Sequence, residues 1–315
     1  MTSRRLIVSA DDFGLTAAVD RGIVAAVARG SVTSVGVIAN LVEAGRLAEL
    51  VAAAARGDSR LSLGAHLNLT TGRPLSPAAE IPSLVDADGM FHPLGTLTRR
   101  ALAGRLRRRE VGHELGAQVA RLRALGVAID HLDSHEHVHL LPAVTGAVLG
   151  LARSAGVRRM RTHRPLVLGP RWTGTPSYYA RHPRRLATHG LKRLLALRLR
   201  MAGIATPDGM VAPSLLVSPV PGGPRREWEA IAAQLPAGTW ELVVHPADLE
   251  VPPAPGDVER LGDLVARRGA ELAALTDPRF HVVLAAAGVE LVPFAAIPTR
   301  TPRILAEERY VPRRA

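Results

Sequence analysis

The segment His131-Leu132-Asp133-Ser134-His135-Glu136-His137-Val138-His139 places four histidines and two acids in nine residues. Packing does not call for that density, and neutral imidazoles beside carboxylates are natural donors for a divalent metal ion. In an extended chain His131, Asp133, His135, His137 and His139 fall on one side. A solvated surface run is the bland alternative, but this run directly follows an apolar stretch. Ala10-Asp11-Asp12-Phe13-Gly14 poses a second problem. Two adjacent carboxylates just past an apolar run are costly to bury, because desolvation and like charge both oppose ionisation. A bound cation relieves both penalties. A helix N-cap would account for one aspartate and leave the other unexplained. The third group is Gly64-Ala65-His66-Leu67-Asn68-Leu69-Thr70, in which His66 and Asn68 share a face by the two-residue strand period. Alone, it reads as an ordinary hydrogen-bonded histidine.

The stretch from His135 to His139 also fits H-E-x-x-H, in which two histidines one helical turn apart hold zinc and the glutamate acts as base. That pattern requires a continuing helix. Pro142 would then fall in the helix interior, whereas it suits the first turn of a helix starting near 142. The zincin reading also leaves Asp11, Asp12 and His66 without a role.

The elements that must position these residues alternate. Residues 5–13, 33–40 and 61–70 read as strands. The first two are followed by helices, one from Thr16 as N-cap to a stop at Gly30 and one over 43–56. Residues 71–107, with Pro74, Pro77 and Pro82 and an Asp88-Gly89 turn, form a long excursion. Alternation resumes with helix 108–125, strand 127–133, helix 142–155 and strand 157–163. A second, basic excursion covers 164–205 with a helix over 183–202. Helix 225–234, strand 240–246, helix 257–275 and a last apolar pair of elements through Ile297 complete the pattern. Strand–helix alternation implies parallel strands with helices packed outside. The polar residues gather at the C-terminal ends of several separated strands, and no GxGxxG follows the first strand. Both features favour a barrel over an open dinucleotide-binding sheet. The expected architecture is an irregular TIM-like (β/α) barrel. It is one domain over 1–297, with both excursions over the barrel mouth and a Pro/Arg-rich tail over 298–315.

Composition narrows the function classes. The 315 residues contain no cysteine, which excludes a disulfide scaffold, a thiolate nucleophile and Cys-ligated metal. No signal peptide is evident and no apolar run reaches the roughly 18 residues of a membrane helix, so a cytoplasmic protein is expected. The net charge of +12 is almost wholly arginine. Residues 151–200 hold twelve Arg and Lys192 but no acid. Such a stretch suits a solvated basic face, a polyanion or an anionic lipid surface. Nucleic acid is not expected, because no zinc-finger spacing or RNP-type aromatic motif accompanies the charge and only 3% of residues are aromatic.

In combination, ADDFG, G-x-H-L-N-L-T and H-L-D-S-H-x-H-x-H resemble the YdjC-like carbohydrate deacetylase family, which includes chito-oligosaccharide deacetylases and hopanoid-associated relatives. The likeness continues in Val32-Thr33-Ser34, Asp88-Gly89-Met90-Phe91, His245-Pro246 and Arg268…Glu271-Leu272…Leu275-Thr276, and ends near 297. Ser9 and Ala247 depart from the residues usual before ADDFG and after His-Pro. The resemblance implies an irregular TIM-like barrel and one divalent cation, magnesium or zinc. By motif position the metal ligands are Asp12, His66 and His135, with Asp11 as catalytic base. One carboxylate and two imidazoles leave positions open for water and substrate, as a catalytic site requires. His245, at the end of an apolar strand, is the candidate general acid. Asn68, His137, His139, Arg161 and Trp172 are candidate substrate contacts, with pairing to a barrel acid as the alternative for Arg161. The expected partner is an N-acetylated saccharide or a glycolipid, and a homodimer is an open alternative to a monomer. Competing readings are another metal-dependent hydrolase on the same barrel, for a phosphoester or a different amide, and a basic polyanion-binding protein. Glu136→Ala separates the two enzyme readings: a zincin would lose turnover outright, whereas a deacetylase built on Asp11 and Asp12 keeps most of it in an acetate-release assay.

Overall fold

The computed structural model describes residues 3–56, 61–164, 183–211, 223–261 and 265–299. Trp172, the basic stretch around it and the tail from 300 lie outside the described residues. In chain order the main elements are β1 (Arg4–Phe13), α1 (Ala17–Ala28), β2 (Ser34–Val37), α2 (Ala44–Arg56), β3 (Ser62–Leu67), α3 (Leu94–Leu102) and α4 (Arg108–Ala124). There follow β4 (Ile129–Ser134), α5 (Pro142–Ser154), α6 (Pro183–Met201), β5 (Gly209–Val211), α7 (Gly223–Gln234) and β6 (Gly238–Val244). The last are α8 (Asp257–Leu261), α9 (Val265–Thr276), α10 (Arg279–Ala286) and β7 (Val289–Leu291).

All the strand pairings among the named strands are parallel, in the order β4-β3-β2-β1-β6-β5. β7 shares one edge of β1 with β2, pairing Arg4–Leu6 while β2 pairs Ser9–Phe13. This α/β sheet forms a half-barrel of the TIM-like kind. Buried on both faces, β1 reads as a continuous apolar run, with Leu6, Ile7 and Val8 at most 1% exposed. Beyond β4, the expected strand 157–163 contributes single parallel bridges, Leu132 to Met160 and Arg159 to Ala205. β5 has no counterpart in the sequence reading; its three residues are too few to show a period.

Most helix boundaries follow the expected chemistry. Thr16 caps α1, its side chain accepting from Val19 N at 3.2 Å, and Gly30 ends the turn after it at φ 70°. Pro142 stands in the first turn of α5. Residues 71–107 contribute no strand to the sheet and lean instead on α4. Buried Glu110, Glu114 and Gln118, one turn apart, accept from the backbone N–H groups of Ser83, of Leu75 and Ser76, and of Asn68. This ladder gives an irregular loop the hydrogen-bond acceptors it would otherwise lack. No helix among the described residues is long and apolar enough to cross a membrane.

Asp20 on α1 ties down the turn that follows the two aspartates, accepting from Gly14 N at 2.6 Å. Gly14, at φ 102°, lies against the Val42 backbone, where a Cβ would come within 2.9 Å. Burial of Asp20 raises its carboxyl to a pKa of about 6, although the Gly14 N–H and Arg46 pull the other way. The folded value is above the unfolded one, so this stabilisation is present below pH ~4 and lost as pH rises through 6. Asp20→Asn is therefore expected to flatten the stability profile between pH 4 and 6.5 by about 2–3 kcal/mol relative to wild type. Denaturant melts across that range check this, and parallel profiles would contradict it.

Candidate metal centre

Adjacent residues on a regular strand point to opposite faces, so Asp11 and Asp12 cannot share a site without a local irregularity. One is present. Ala10 pairs with Val35 and Phe13 with Val37, so β1 carries one residue more than β2 across this interval. Asp12 absorbs it at φ 75°, a conformation that aspartate tolerates better than most residues. The bulge re-aims the second carboxylate, as bulges next to functional sites commonly do.

Asp12, His66 and His135 then converge from β1, β3 and the turn after β4. Their ligand-type atoms all lie within 4.8 Å of one another. Asp12 Oδ1 is 2.8 Å from His135 Nδ1 and 3.4 Å from His66 Nε2, while its Oδ2 accepts from Arg268 Nη2 at 2.7 Å. Asp133 lies 2.9 Å from His66 Nδ1 and so orients that ring. β2 runs between β1 and β3, and it makes room with Gly36: a Cβ there would sit 2.9 Å from His66 Nδ1.

Asp11 belongs to a second cluster. Fully buried Arg161 donates to both its oxygens, at 2.6 and 2.7 Å, and also reaches Glu241 at 2.8 Å and Asp133 at 3.1 Å. Four carboxylates (Asp11, Asp12, Asp133 and Glu241) thus face two guanidiniums, Arg161 and Arg268, and the difference is two negative charges. Protonation answers that imbalance. Burial opposes a charge on His66, yet Asp133, Asp11 and Asp12 raise it to about 10. Burial, together with Asp11 and Asp133, pushes Glu241 up to about 7 against the pull of Arg161. Asp12 is held well below the carboxylate range: burial works against this, and His135, His66 and Arg268 outweigh it. A divalent cation matches both the charge deficit and the mixed N/O donors.

The remaining candidates sort by contact. His245 follows β6, and its Nε2 lies 3.9 Å from Asp11 Oδ2; burial lowers its pKa. For Arg161 the geometry has the pairing with barrel acids: its guanidinium is 0% exposed and engaged by Asp11, Glu241 and Asp133. Asn68 is also spoken for. Its amide donates to Asn40 Oδ1 and Thr71 O, and its oxygen accepts from Thr70 N and Thr71 N. Buried His139 spans Ser134 Oγ at 2.5 Å and His163 Nε2 at 2.9 Å, so both its ring nitrogens are engaged. His137 is half-buried and packs edge-on against His163. The extended run expected from 131 to 139 ends at Ser134. A tight turn follows in which Glu136 and His137 have φ of 50° and 56°. No helical H-E-x-x-H forms, and the zincin pattern is excluded.

Sequence reasoning missed Glu241 and His163. A lone glutamate inside the apolar Trp240–Val244 run was the available signal for the first. Nothing local marks the second.

The family model described as YdjC-like protein matches residues 5–286. The chain belongs to the YdjC-like family. A carbohydrate deacetylase of Geobacillus stearothermophilus is 33% identical, over 92% of this chain and 97% of its own. One from Mus musculus is 35% identical, over 95% and 96%. A chitooligosaccharide deacetylase of Yersinia pestis is 42% identical over 47% of this chain and 55% of its own. A solved structure from Enterococcus faecalis, titled a putative cellobiose-phosphate cleavage protein, superposes with a TM-score of 0.70. It covers 93% of this chain and 98% of its own at 24% identity, a likeness of fold.

Beneath the site, His131 stacks on Phe294 at 4.1 Å and meets Ser34 Oγ at 3.3 Å. Gly64 leaves it that place, since a Cβ would fall 2.3 Å from His131 Nε2. Gly64→Ala is expected to cost about 1–3 kcal/mol through overpacking, read by chemical denaturation. A loss under about 0.5 kcal/mol would mean the ring moves freely.

Proposed function

We propose that this YdjC-like chain hydrolyses the acetamide of an N-acetylated amino sugar, with chito-oligosaccharides and acetylated glycolipids as the substrate class. The observation that carries the reading is the convergence of Asp12, His66 and His135 beside an Asp11 held in a fixed orientation. The names of the relatives support the substrate class. Asp12, His66 and His135 would hold one divalent cation, magnesium or zinc, which when bound polarises the acetamide carbonyl and acidifies water.

The protein's own groups handle the protons. Arg161 fixes both oxygens of Asp11, so the carboxylate presents one orientation to an attacking water and takes its proton. His245 is neutral before reaction, since burial lowers its pKa. At 3.9 Å from Asp11 it is within relay distance, through a small shift or one water, of the proton that Asp11 removes. It delivers that proton to the departing amine as the C–N bond breaks, leaving acetate and the free amino sugar. His137, half-buried and edge-on against His163, is the remaining candidate substrate contact among the described residues. The reading includes a closed irregular barrel formed by one domain over 1–297. The bridges from Leu132 to Met160 and from Arg159 to Ala205 support closure between β4 and β5. Residues 71–107 and, of the second excursion, the described residues 183–205 would then flank the mouth.

Asp12→Ala and His66→Ala are each expected to lose bound metal and acetate release together. Asp11→Asn keeps the metal and loses at least ~100-fold in turnover. Metal content of purified protein and acetate release from chitobiose, longer chitin fragments and an acetylated glycolipid check this. Full turnover in Asp11→Asn would end the role given to Asp11. Activity indifferent to chelators would end the metal-dependent reading.

A further inference from the structure

Arg268 is 4% exposed, and among the described residues the one hydrogen bond from its side chain runs from Nη2 to Asp12 Oδ2. Its Nε and Nη1 are buried with no hydrogen-bond partner among the described residues. Burying a guanidinium with two idle donors is expensive, and an apolar residue of similar volume would be cheaper for stability alone. The one contact it makes divides the two oxygens of Asp12. Oδ2 is taken, and Oδ1 is left facing His135 Nδ1 and His66 Nε2 at 2.8 and 3.4 Å.

We infer that Arg268 is a positioning residue that restricts Asp12 to one-oxygen coordination. This inference rests on the metal reading above. A carboxylate with both oxygens free would close on a cation bidentately and fill a position that water or substrate needs. With Oδ2 committed to Arg268, the donor set remains one oxygen and two nitrogens. The brace is itself braced. Ala247 N, in the loop beyond His245, donates to the Arg268 carbonyl at 3.2 Å. One turn along α9, Glu271 accepts from His245 N at 2.6 Å and from Arg267 Nε at 2.9 Å, and Arg267 reaches Glu227 at 2.5 Å. A single turn of α9 therefore sets the orientation of Asp12 and the backbone from which His245 projects.

The test uses Co2+ as probe, bound to full-length wild type, Arg268→Met and Arg268→Lys. Titration gives affinity, and the visible absorption of the bound ion reports coordination number. Arg268→Met is expected to bind Co2+ at least as tightly as wild type, since a neighbouring positive charge is removed and an oxygen donor gained, with visible bands weakened severalfold as Asp12 turns bidentate. Arg268→Lys, which restores a donor to Oδ2, should recover part of the band intensity. An ion pair serving stability alone would lower the melting temperature and leave the spectrum of bound Co2+ unchanged. That result would overturn the inference while leaving wild-type metal binding and acetate release intact. If Arg268→Met does not fold, the spectrum of Arg268→Lys decides by the same criterion. Wild-type protein that takes up no Co2+ overturns the metal reading and this inference together.

Discussion

A strand alternates its side chains, and the chemistry at the end of β1 needs two consecutive side chains on one side. The extra residue in β1 between Ala10 and Phe13 resolves that conflict. Asp12 takes a left-handed backbone conformation, and both carboxylates then face the C-terminal end of the sheet. Gly14 at positive φ and the Gly14–Asp20 hydrogen bond hold the chain as it leaves the bulge for α1. Without this irregularity one aspartate would point among the helices, and the donors on β3 and after β4 would have no partner.

Once both carboxylates face the same way, the problem becomes electrostatic. Each is bound to a different arginine brought from far along the chain: Arg161 from beyond α5 and Arg268 from α9. Buried ion pairs seldom add stability over well-packed apolar residues, but losing one partner leaves an uncompensated charge worth several kcal/mol. The two clamps therefore make the site rigid and intolerant of change in equal measure. They also separate functions. Asp11 is fixed at both oxygens and faces His245, whereas Asp12 is fixed at one and faces the two imidazoles. Asp133 and Glu241, drawn in around Arg161, leave the cluster more acidic than its arginines can balance. The raised values at His66 and Glu241 are the protein's own response to that excess.

The residue types and spacings determined a good deal by themselves. Alternating apolar runs of two periods made parallel strands with outer helices the expected arrangement, because each run is long enough to show its own period. Thr16, Gly30 and Pro142 marked helix ends through local hydrogen bonding and fixed φ, which need no distant partner. Asp11 and Asp12 stood out because paired carboxylates at the end of an apolar strand are expensive unless used, and His135 through the density of its histidine run, whereas His66 was ordinary alone and gained its role from the family likeness. Family likeness, carried by three short motifs, came from the same residues.

Tertiary structure decided what depends on approach between distant segments. Arg161 and Asn68 looked available for a sugar, and only the packed fold shows their hydrogen-bonding groups already engaged. The run of histidines looked like one extended face, and the turn at Glu136 and His137 divides it between the Asp12–His66–His135 cluster and a buried pair with His163. Glu241 hid in an apolar strand because its partner, Arg161, lies 80 residues away. The extra residue of β1 was equally silent, since a bulge exists only relative to the register of a neighbouring strand. Spacing along a chain encodes which groups can do chemistry; which of them meet, and which are already satisfied, is set by contacts that form only when the sheet curls and the helices close around it.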